Sequence, residues 1–173
     1  MHPIIYDVAV SLDGYICGPG GEISAFAHTG AVVDDYRARL STYAVAIMGR
    51  ATYEVGYAYG LKPGDNPYPW MAVRVYSDTL DLPAGSAVTV VRSGDLTDPR
   101  EGAGGPVYLC GGGAFAGSLL ARGMIDRLRL KRAPILLGGG VRLFGEGGAA
   151  PVLTCLDTKT HADGYVYQEF AVA

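Results

Sequence analysis

Short apolar runs alternate with glycine-rich or polar segments along most of this chain. Runs at residues 4–10, 44–48, 72–76, 87–91 and 107–110 have the length and composition of buried β-strands. Between them, Val33, Tyr36, Leu40 and Tyr43 recur at helical spacing and predict a helix over residues 31–43. A second helix is predicted at residues 114–122, before the helix-stopping Gly123.

The last third of the chain has a different pattern. Residues 127–131 alternate basic and apolar, which predicts a half-buried strand whose basic side chains face solvent. Residues 141–144 predict one helical turn, and residues 152–156 and 165–172 predict two consecutive antiparallel strands. Strands that alternate with helices early and pair with each other late indicate an α/β fold, in which helices cover both faces of a mixed sheet.

Glycine is unusually frequent, at 26 of 173 residues. The glycines gather at residues 18–21, 111–113, 138–140 and 145–148, between apolar runs, so we interpret them as turns of a compact fold. The length suits one domain, and we expect residues 1–173 to form it.

Charge and cysteine content limit the classes of partner and compartment. The net charge of −3 gives no reason to expect nucleic acid or an anionic membrane as a partner. Cys17, Cys110 and Cys155 lie far apart without metal-ligand spacing, so we expect no metal site and no disulfide framework. No long apolar segment or basic secretion signal is present, and we expect a cytoplasmic location.

The strongest candidate for binding chemistry is the segment PVYLCGGGAFAG, at residues 106–117. A strand that ends in Gly111, Gly112 and Gly113 and leads into a helix at Ala114 and Phe115 lets the backbone approach a phosphate closely. A tight turn that needs glycine only for its backbone angles is an equally good interpretation of this segment alone.

A second junction of a strand and a helix follows residue 48. Gly49, Arg50 and Thr52 combine a guanidinium, a hydroxyl and free backbone N–H groups, which together suit an anion. In the alternative interpretation, Arg50 pairs with a surface carboxylate and Thr52 caps the helix.

Two acidic residues lie near the first strand. Asp13 follows that strand, and ligands of open α/β sheets bind near strand ends, although Asp13 could instead shape the turn before Gly14. Glu22, in the glycine-rich loop at residues 18–30, could point into a cleft or into water. The single tryptophan, Trp70, could cover a pocket or fill a core.

Several segments in order resemble the dihydrofolate-reductase-like family, and most of all its branch around the C-terminal reductase domain of RibD. They are SLDGYI at 11–16, IMGRATYE at 47–54, VYS at 75–77, VYLCGGGAFAGSLLARGMIDRLRL at 107–130 and PILLGGGVRLF at 134–144. The resemblance implies a three-layer α/β domain with a mixed, mostly parallel sheet. It also implies NADPH as the cofactor, a small-molecule substrate and a homodimer.

The resemblance carries cofactor roles onto individual positions. Gly49, Arg50 and Thr52 would hold cofactor phosphates, and Ser77 and Arg92 would lie near the adenosine 2′-phosphate. The pyrophosphate would rest on the glycine turn, which consists of Gly111, Gly112, Gly113, Ala114 and Phe115. A Rossmann domain is disfavoured, because Lys131 and Arg132 stand where its ribose-binding acid would be.

The leading hypothesis is an NADPH-dependent reductase. It would transfer a hydride to a pyrimidine-like or pterin-like heterocycle, or to a carbonyl or imine. Asp13, then Glu22, then Tyr53 are the candidates for the catalytic group that supplies a proton or orients the substrate. The alternatives are an NADP(H)-binding protein without catalysis on the same fold and an interaction module without a ligand.

Overall fold

A computed structural model of the chain describes residues 1–93 and 98–173. The helices are α1 (Ala31–Leu40), α2 (Arg50–Val55) and α3 (Gly113–Ala121), and a 3₁₀ turn at Gly56–Tyr59 follows α2. The strands are β1 (Ile4–Val10), β2 (Tyr15–Cys17), β3 (Val45–Gly49), β4 (Ala72–Tyr76), β5 (Thr89–Val91), β6 (Val107–Gly111), β7 (Arg127–Arg132), β8 (Val141–Arg142), β9 (Leu153–Thr160) and β10 (Val166–Val172).

The main sheet is mixed and mostly parallel. Its strand order is β5-β4-β3-β6-β1-β7-β10-β9, and β2 and β8 form a separate two-stranded sheet. The first six strands of this order, from β5 through β4, β3, β6 and β1 to β7, are all parallel to their neighbours. The last two pairings are antiparallel, because β10 runs opposite to both β7 and β9. The carboxyl ends of β3, β6 and β1 therefore meet at one edge of the sheet, where α/β proteins bind their ligands.

Helices cover both faces of the sheet, as the sequence predicts. Alternate residues of β1 point to opposite faces, so Ile4 and Tyr6 pack against α3 while Ile5 packs in the core below α1 and α2. Most of β1, β3 and β6 is buried on both faces, as is typical of central parallel strands.

The pattern-based predictions placed most elements correctly and missed two. Residues 141–144 do not form a helical turn, because Val141–Arg142 pairs as β8 with Tyr15–Cys17, and no strand was predicted at either segment. Neither β2 nor β8 lies within an apolar run long enough to be recognised from sequence, and only their pairing defines them.

Candidate functional site

A large cavity of about 1370 Å³ opens at the edge of the sheet where β3, β6 and β1 end. One end is lined by both predicted anion-binding junctions, at residues 49–52 and 111–115. The other end extends below α1 to Asp7, Tyr36 and Lys131. A cavity of this size has room for a dinucleotide and a small second molecule.

The two junctions lie side by side because β3 and β6 are parallel neighbours, with Met48 opposite Gly111. A Cβ placed on Gly112 would lie only 2.9 Å from Thr52 Oγ1, and a Cβ on Gly49 would lie 3.4 Å from Phe115 Cβ. The two junctions therefore adjoin in the folded chain.

The three consecutive glycines, at residues 111–113, are required for different structural reasons. Gly111 has a φ of 131° and Gly112 a φ of 51°, both in the region that favours glycine. A Cβ on Gly113 would lie 2.1 Å from the carbonyl oxygen of Arg142, so Gly113 lets β8 pack against the start of α3. Gly112 is the N-cap residue of α3 and lines the cavity. No side chain caps the helix there, so its first backbone N–H groups remain available to a ligand.

Arg50 is held by neighbours on the same side of the cavity. Its Nε donates to Glu54 Oε1 at 2.8 Å and its Nη1 donates to Thr79 Oγ1 at 2.8 Å. The side chain is 45% exposed, so an anion that reaches Arg50 competes with Glu54 for the guanidinium.

Ser77 and Arg92 line a second, smaller cavity of about 190 Å³ at the ends of β4 and β5. Arg92 donates to the carbonyl oxygen of Ser77 at 2.9 Å and pairs with Asp81 at 3.0 Å. Phe115 lines both cavities, so the small cavity adjoins the large one at the start of α3. Arg122 adds a second guanidinium to its wall.

Asp13 does not line the large cavity. Its carboxylate accepts hydrogen bonds from the backbone N–H groups of Leu137, at 3.1 Å, and Gly138, at 2.7 Å. The Ser11 hydroxyl and these backbone donors lower the pKa of Asp13 to about 2. The geometry favours a role in fixing the segment after β7, and a carboxyl group with this pKa is a poor proton donor at neutral pH.

The other two catalytic candidates are also engaged in local structure. Glu22 is exposed and accepts a hydrogen bond from the backbone N–H of Gly20 at 2.9 Å. Tyr53 lines the cavity, but its hydroxyl donates to the carbonyl of Asp65 and accepts from the N–H of Gly64, each at 2.9 Å. Burial raises the pKa of Tyr53. A catalytic role for Asp13, Glu22 or Tyr53 stays a prediction.

The structure places a buried charged layer between the sheet and α1, which the sequence analysis missed. The prediction that the basic residues of β7 face solvent holds for Arg127, which is 45% exposed, but is wrong for Arg129 and Lys131, which are mostly buried. Arg129 pairs with Glu169 at 3.1 Å, and Lys131 lies 3.3 Å from Asp7. Asp7 is the single charged residue in the apolar run of β1, and this was the signal that a buried cation lies opposite.

Asp7 and Lys131 lie at the inner end of the cavity. Burial alone would raise the pKa of Asp7, but the Lys131 charge and the Arg39 and Tyr43 hydrogen bonds lower it overall. Burial lowers the pKa of Lys131 to about 8, although the charge of Asp7 opposes this change. Both residues line the cavity, but Lys131 keeps only 8% of its side chain exposed and Asp7 keeps none.

Residues 1–93 and 98–173 include neither a membrane-spanning helix nor a cluster of metal ligands. No helix there is both long and apolar enough to cross a bilayer. In the same part of the chain, no three or more His, Cys, Asp or Glu side chains come together as a metal ligand set.

Comparison with known proteins identifies one family. The model of the RibD C-terminal domain matches residues 3–167. The chain is also 25% identical over 174 residues to the uncharacterized protein YyaP of Bacillus subtilis, with 94% of this chain and 91% of that protein aligned.

Solved structures share the fold. A protein of Shewanella sp. PV-4 whose proposed role is in riboflavin biosynthesis superposes with a TM-score of 0.82 and 26% identity, over 100% of this chain and 99% of that one. A Thermotoga maritima diaminohydroxyphosphoribosylaminopyrimidine deaminase/5-amino-6-(5-phosphoribosylamino)uracil reductase gives a TM-score of 0.69 and 16% identity, over 99% of this chain and 57% of that one. Dihydrofolate reductase from Enterococcus faecalis, in complex with NADP(H), gives 0.67 and 17%, over 98% and 96% of the two chains. The expected dihydrofolate-reductase-like fold is confirmed.

Proposed function

This chain belongs to the RibD C-terminal domain family, and we propose that it is an NADPH-dependent reductase of a small pyrimidine-like or pterin-like heterocycle. The observation that carries the proposal is the meeting of two glycine-containing junctions, at Gly49–Thr52 and Gly111–Gly113, at one end of a single large cavity. When bound, NADPH would supply a hydride from its nicotinamide.

The residues around the junctions fit a dinucleotide phosphate group. Because Gly112 has no Cβ, the space between it and Thr52 stays free for a phosphate oxygen. The first turn of α3 has no side-chain cap. Backbone N–H groups at the start of a helix bind anions, and the guanidinium of Arg50 would add a charged fork from the adjacent junction. Together with Ala114 and Phe115, these groups would hold the pyrophosphate.

The small cavity fits the extra phosphate that distinguishes NADPH from NADH. Ser77, Arg92 and Arg122 line it, and Phe115 connects it to the junctions. The Enterococcus faecalis reductase of the same fold is complexed with NADP(H), which supports this assignment. Arg92 already pairs with Asp81, so the expected preference for NADPH depends on how far a phosphate displaces that carboxylate.

The remaining part of the cavity would hold the substrate, with its reducible carbon against the nicotinamide. The lining there is mostly apolar, and Lys131 and the aromatic side chains below α1 would contact the substrate. We further propose that residues 1–173 act as one reductase domain and that the protein is a homodimer in a reducing compartment.

The emission of Trp70 provides the test of cofactor binding. Trp70 is the single tryptophan of the chain, lines the cavity and is 57% exposed. NADPH should quench it with saturation below about 1 mM, the upper end of ordinary enzyme affinities, and should bind more tightly than NADH. The absence of saturable quenching by either nucleotide, checked by calorimetry, would refute the proposal.

A protein that binds NADP(H) without catalysis is the second candidate. It is favoured by one observation, that the side chains of Asp13, Glu22 and Tyr53 are all engaged in local hydrogen bonds. It predicts cofactor binding without oxidation of NADPH by any pyrimidine, pterin, carbonyl or imine.

A further inference from the structure

We infer that the inner end of the large cavity binds a compact acid with a single negative charge, such as a carboxylate, because the buried charged layer behind it holds one more cation than carboxylates. The inference rests on the proposed function only in taking this acid as the substrate of the same site. Its binding is a separate claim that can be tested without the cofactor.

Two cations share the carboxylate of Asp7. Its Oδ2 accepts a hydrogen bond from Arg39 Nε at 2.9 Å, and its Oδ1 lies 3.3 Å from Lys131 Nζ. The Asp7 side chain has no exposed surface, and the side chains of Arg39 and Lys131 are only 18% and 8% exposed. One carboxylate balances one of these two charges, so the group keeps an excess of one positive charge.

The neighbouring charges do not supply the missing carboxylate. Glu169 lies 3.1 Å from Arg129 and 2.7 Å from Arg127, so it is also shared by two cations. Arg127 is 45% exposed and water screens its charge, which leaves Glu169 to balance Arg129. Asp35 on α1 is bound to Lys159. Within the described part of the chain, the two cations of the first group have no other carboxylate within ion-pairing distance.

An unbalanced charge in a buried place destabilises the protein until a counter-charge arrives. Burial of an ion without a partner is costly, and the ion either finds a partner or shifts its pKa towards the neutral form. The pKa of Lys131 shows the second effect, because burial lowers it to about 8, with Arg39 adding to the decrease and Asp7 opposing it. A bound anion would supply the partner.

The excess charge faces the cavity through Lys131. This residue lines the inner end, and its Nζ lies 3.1 Å from the centroid of the Tyr36 ring. An ammonium group has three N–H donors, of which Asp7 and the ring of Tyr36 occupy two. Only a small part of Lys131 is exposed, but the field of an ion between apolar walls extends several ångströms beyond it. An anion at the inner end therefore experiences this charge even without direct contact.

The rest of the cavity lining also favours an anion. Among the described lining residues, Asp7 is the only carboxylate, whereas Arg37, Arg50 and Lys131 are cations. The whole chain has a net charge of −3, so the cavity and the chain have opposite signs. Arg50 belongs to the junction that would hold NADPH, and Arg37 is exposed and lies 3.6 Å from Asp34. Lys131 is the lining cation that remains for a second molecule.

The size of the excess selects a monoanion. One carboxylate, or one ionised group on a ring, balances one positive charge. A phosphate monoester carries close to two negative charges at neutral pH, so it would replace a buried excess of one sign by an excess of the other. A phosphate therefore fits the two glycine-containing junctions better than it fits the inner end.

Calorimetric titrations with three probes of one shape test the inference on the unmodified protein at neutral pH. The probes are 2-naphthoate, 2-naphthamide and 2-naphthamidine, which share a flat skeleton and carry one negative charge, no charge and one positive charge. We expect 2-naphthoate to bind at least about tenfold more tightly than the amide, a difference of about 1.4 kcal/mol, and the amidine to bind most weakly. An amide or amidine that binds as tightly as the acid overturns the inference, and so does the absence of binding by 2-naphthoate.

Lys131→Met tests whether the excess charge causes the preference. The substitution removes the excess and keeps a side chain of similar shape. The preference for 2-naphthoate over 2-naphthamide should fall to within about twofold, because the lost interaction is a charged one. Arg37→Met is the matched control, since it removes an equally charged side chain from the exposed wall of the cavity, and it should keep the preference. An unchanged preference in Lys131→Met, or an equal loss in both variants, refutes the role of Lys131.

The pH dependence of binding provides a second measurement if Lys131→Met does not fold. The groups that face Lys131 are Asp7 from β1, Tyr36 and Arg39 from α1, and Cys110 from β6. With a pKa of about 8, Lys131 loses its charge as the pH rises through this value, so the affinity for 2-naphthoate should fall while that for the amide stays constant. A constant affinity for 2-naphthoate across this range overturns the role of Lys131.

The two proposals fail in different ways. A preference for 2-naphthoate without saturable NADPH binding would refute the proposed reductase and leave this inference intact. NADPH binding without the preference would refute the inference alone. A preference that is lost in Arg50→Met but kept in Lys131→Met would place the anion at the junctions and overturn the inference. Tighter binding of 2-naphthyl phosphate, with the same dependence on Lys131, would refute the selection of a monoanion.

Discussion

Gly112 and Thr52 lie in contact across the two junctions, so closely that a Cβ on Gly112 would be 2.9 Å from Thr52 Oγ1. They come from turns 60 residues apart in sequence, and the parallel pairing of β3 with β6 brings them together. This contact is the geometric basis for a shared phosphate site, and it can be tested directly.

Gly112→Ala should weaken NADPH binding by tenfold or more and also reduce stability. Alanine at a φ of 51° costs about 1–2 kcal/mol in backbone strain, and its methyl group would press on Thr52. NADPH titration and thermal unfolding measure the two effects. Gly147→Ala is the control, because a Cβ there meets nothing within 4 Å and its φ is not in the glycine region. Unchanged NADPH affinity in folded Gly112→Ala would contradict a phosphate site at this turn.

Arg50→Ala and Glu54→Gln should change NADPH affinity in opposite directions. Removal of the guanidinium should weaken binding about tenfold, since charged hydrogen bonds are worth about 1.5–3 kcal/mol. Glu54→Gln should tighten binding up to about fivefold, because the carboxylate no longer competes for Arg50. Arg37→Ala removes an equally charged residue at the cavity wall and should have little effect. Changes of the same sign in both variants would show that Glu54 does not compete with the nucleotide.

Asp7→Asn should destabilise the protein at neutral pH by about 3–5 kcal/mol, as expected when one partner of a buried ion pair is removed. The pKa of Asp7 is lower in the folded state than the unfolded value of 3.8. Its stabilisation is therefore fully present above pH 3.8 and is lost as the pH falls through the folded-state pKa. Urea unfolding across acidic pH should show a shallower loss of stability in Asp7→Asn than in the unmodified protein. Asp34→Asn, at an exposed pair, is the control.

Asp13→Asn should lower the melting temperature without removing a limb of the pH–rate profile. With a pKa of about 2, Asp13 carries no proton to donate at neutral pH, and its hydrogen bonds hold Leu137 and Gly138 in place. Its contribution to stability is present above pH 3.8 and declines as the pH falls through about 2. If the variant loses a limb of the profile in the neutral range, then Asp13 is the catalytic acid after all.

Leu156→Lys should shift the protein from dimer to monomer. All eight residues of the edge strand β9 are exposed, and Val152, Leu153 and Leu156 add apolar surface there. An exposed edge strand with apolar side chains is a ready surface for a second chain. Light scattering coupled to size exclusion measures the mass, and Leu12→Lys is the control at a similarly exposed leucine outside β9. A dimer that persists in Leu156→Lys places the interface elsewhere.

The sequence predicted most of the sheet because its central strands are buried on both faces. Residues 4–10 and 72–76 were predicted with the observed bounds, since long apolar runs between turns have few other structures available. The pair of β2 and β8 was missed, because such short strands are defined by the partner and not by their own residues. The Asp7 and Lys131 pair was missed for a related reason, since an alternating strand does not reveal which of its faces a helix covers.

By itself the sequence determined the fold class, the family resemblance and the two junctions with their glycines, because these depend on local backbone preferences and apolar periodicity. Only the tertiary structure decided that the junctions adjoin, that Asp13 and Glu22 lie outside the cavity, and that a charged pair closes its inner end. These relations join residues distant in the chain, and they follow from strand order and from which face each helix covers.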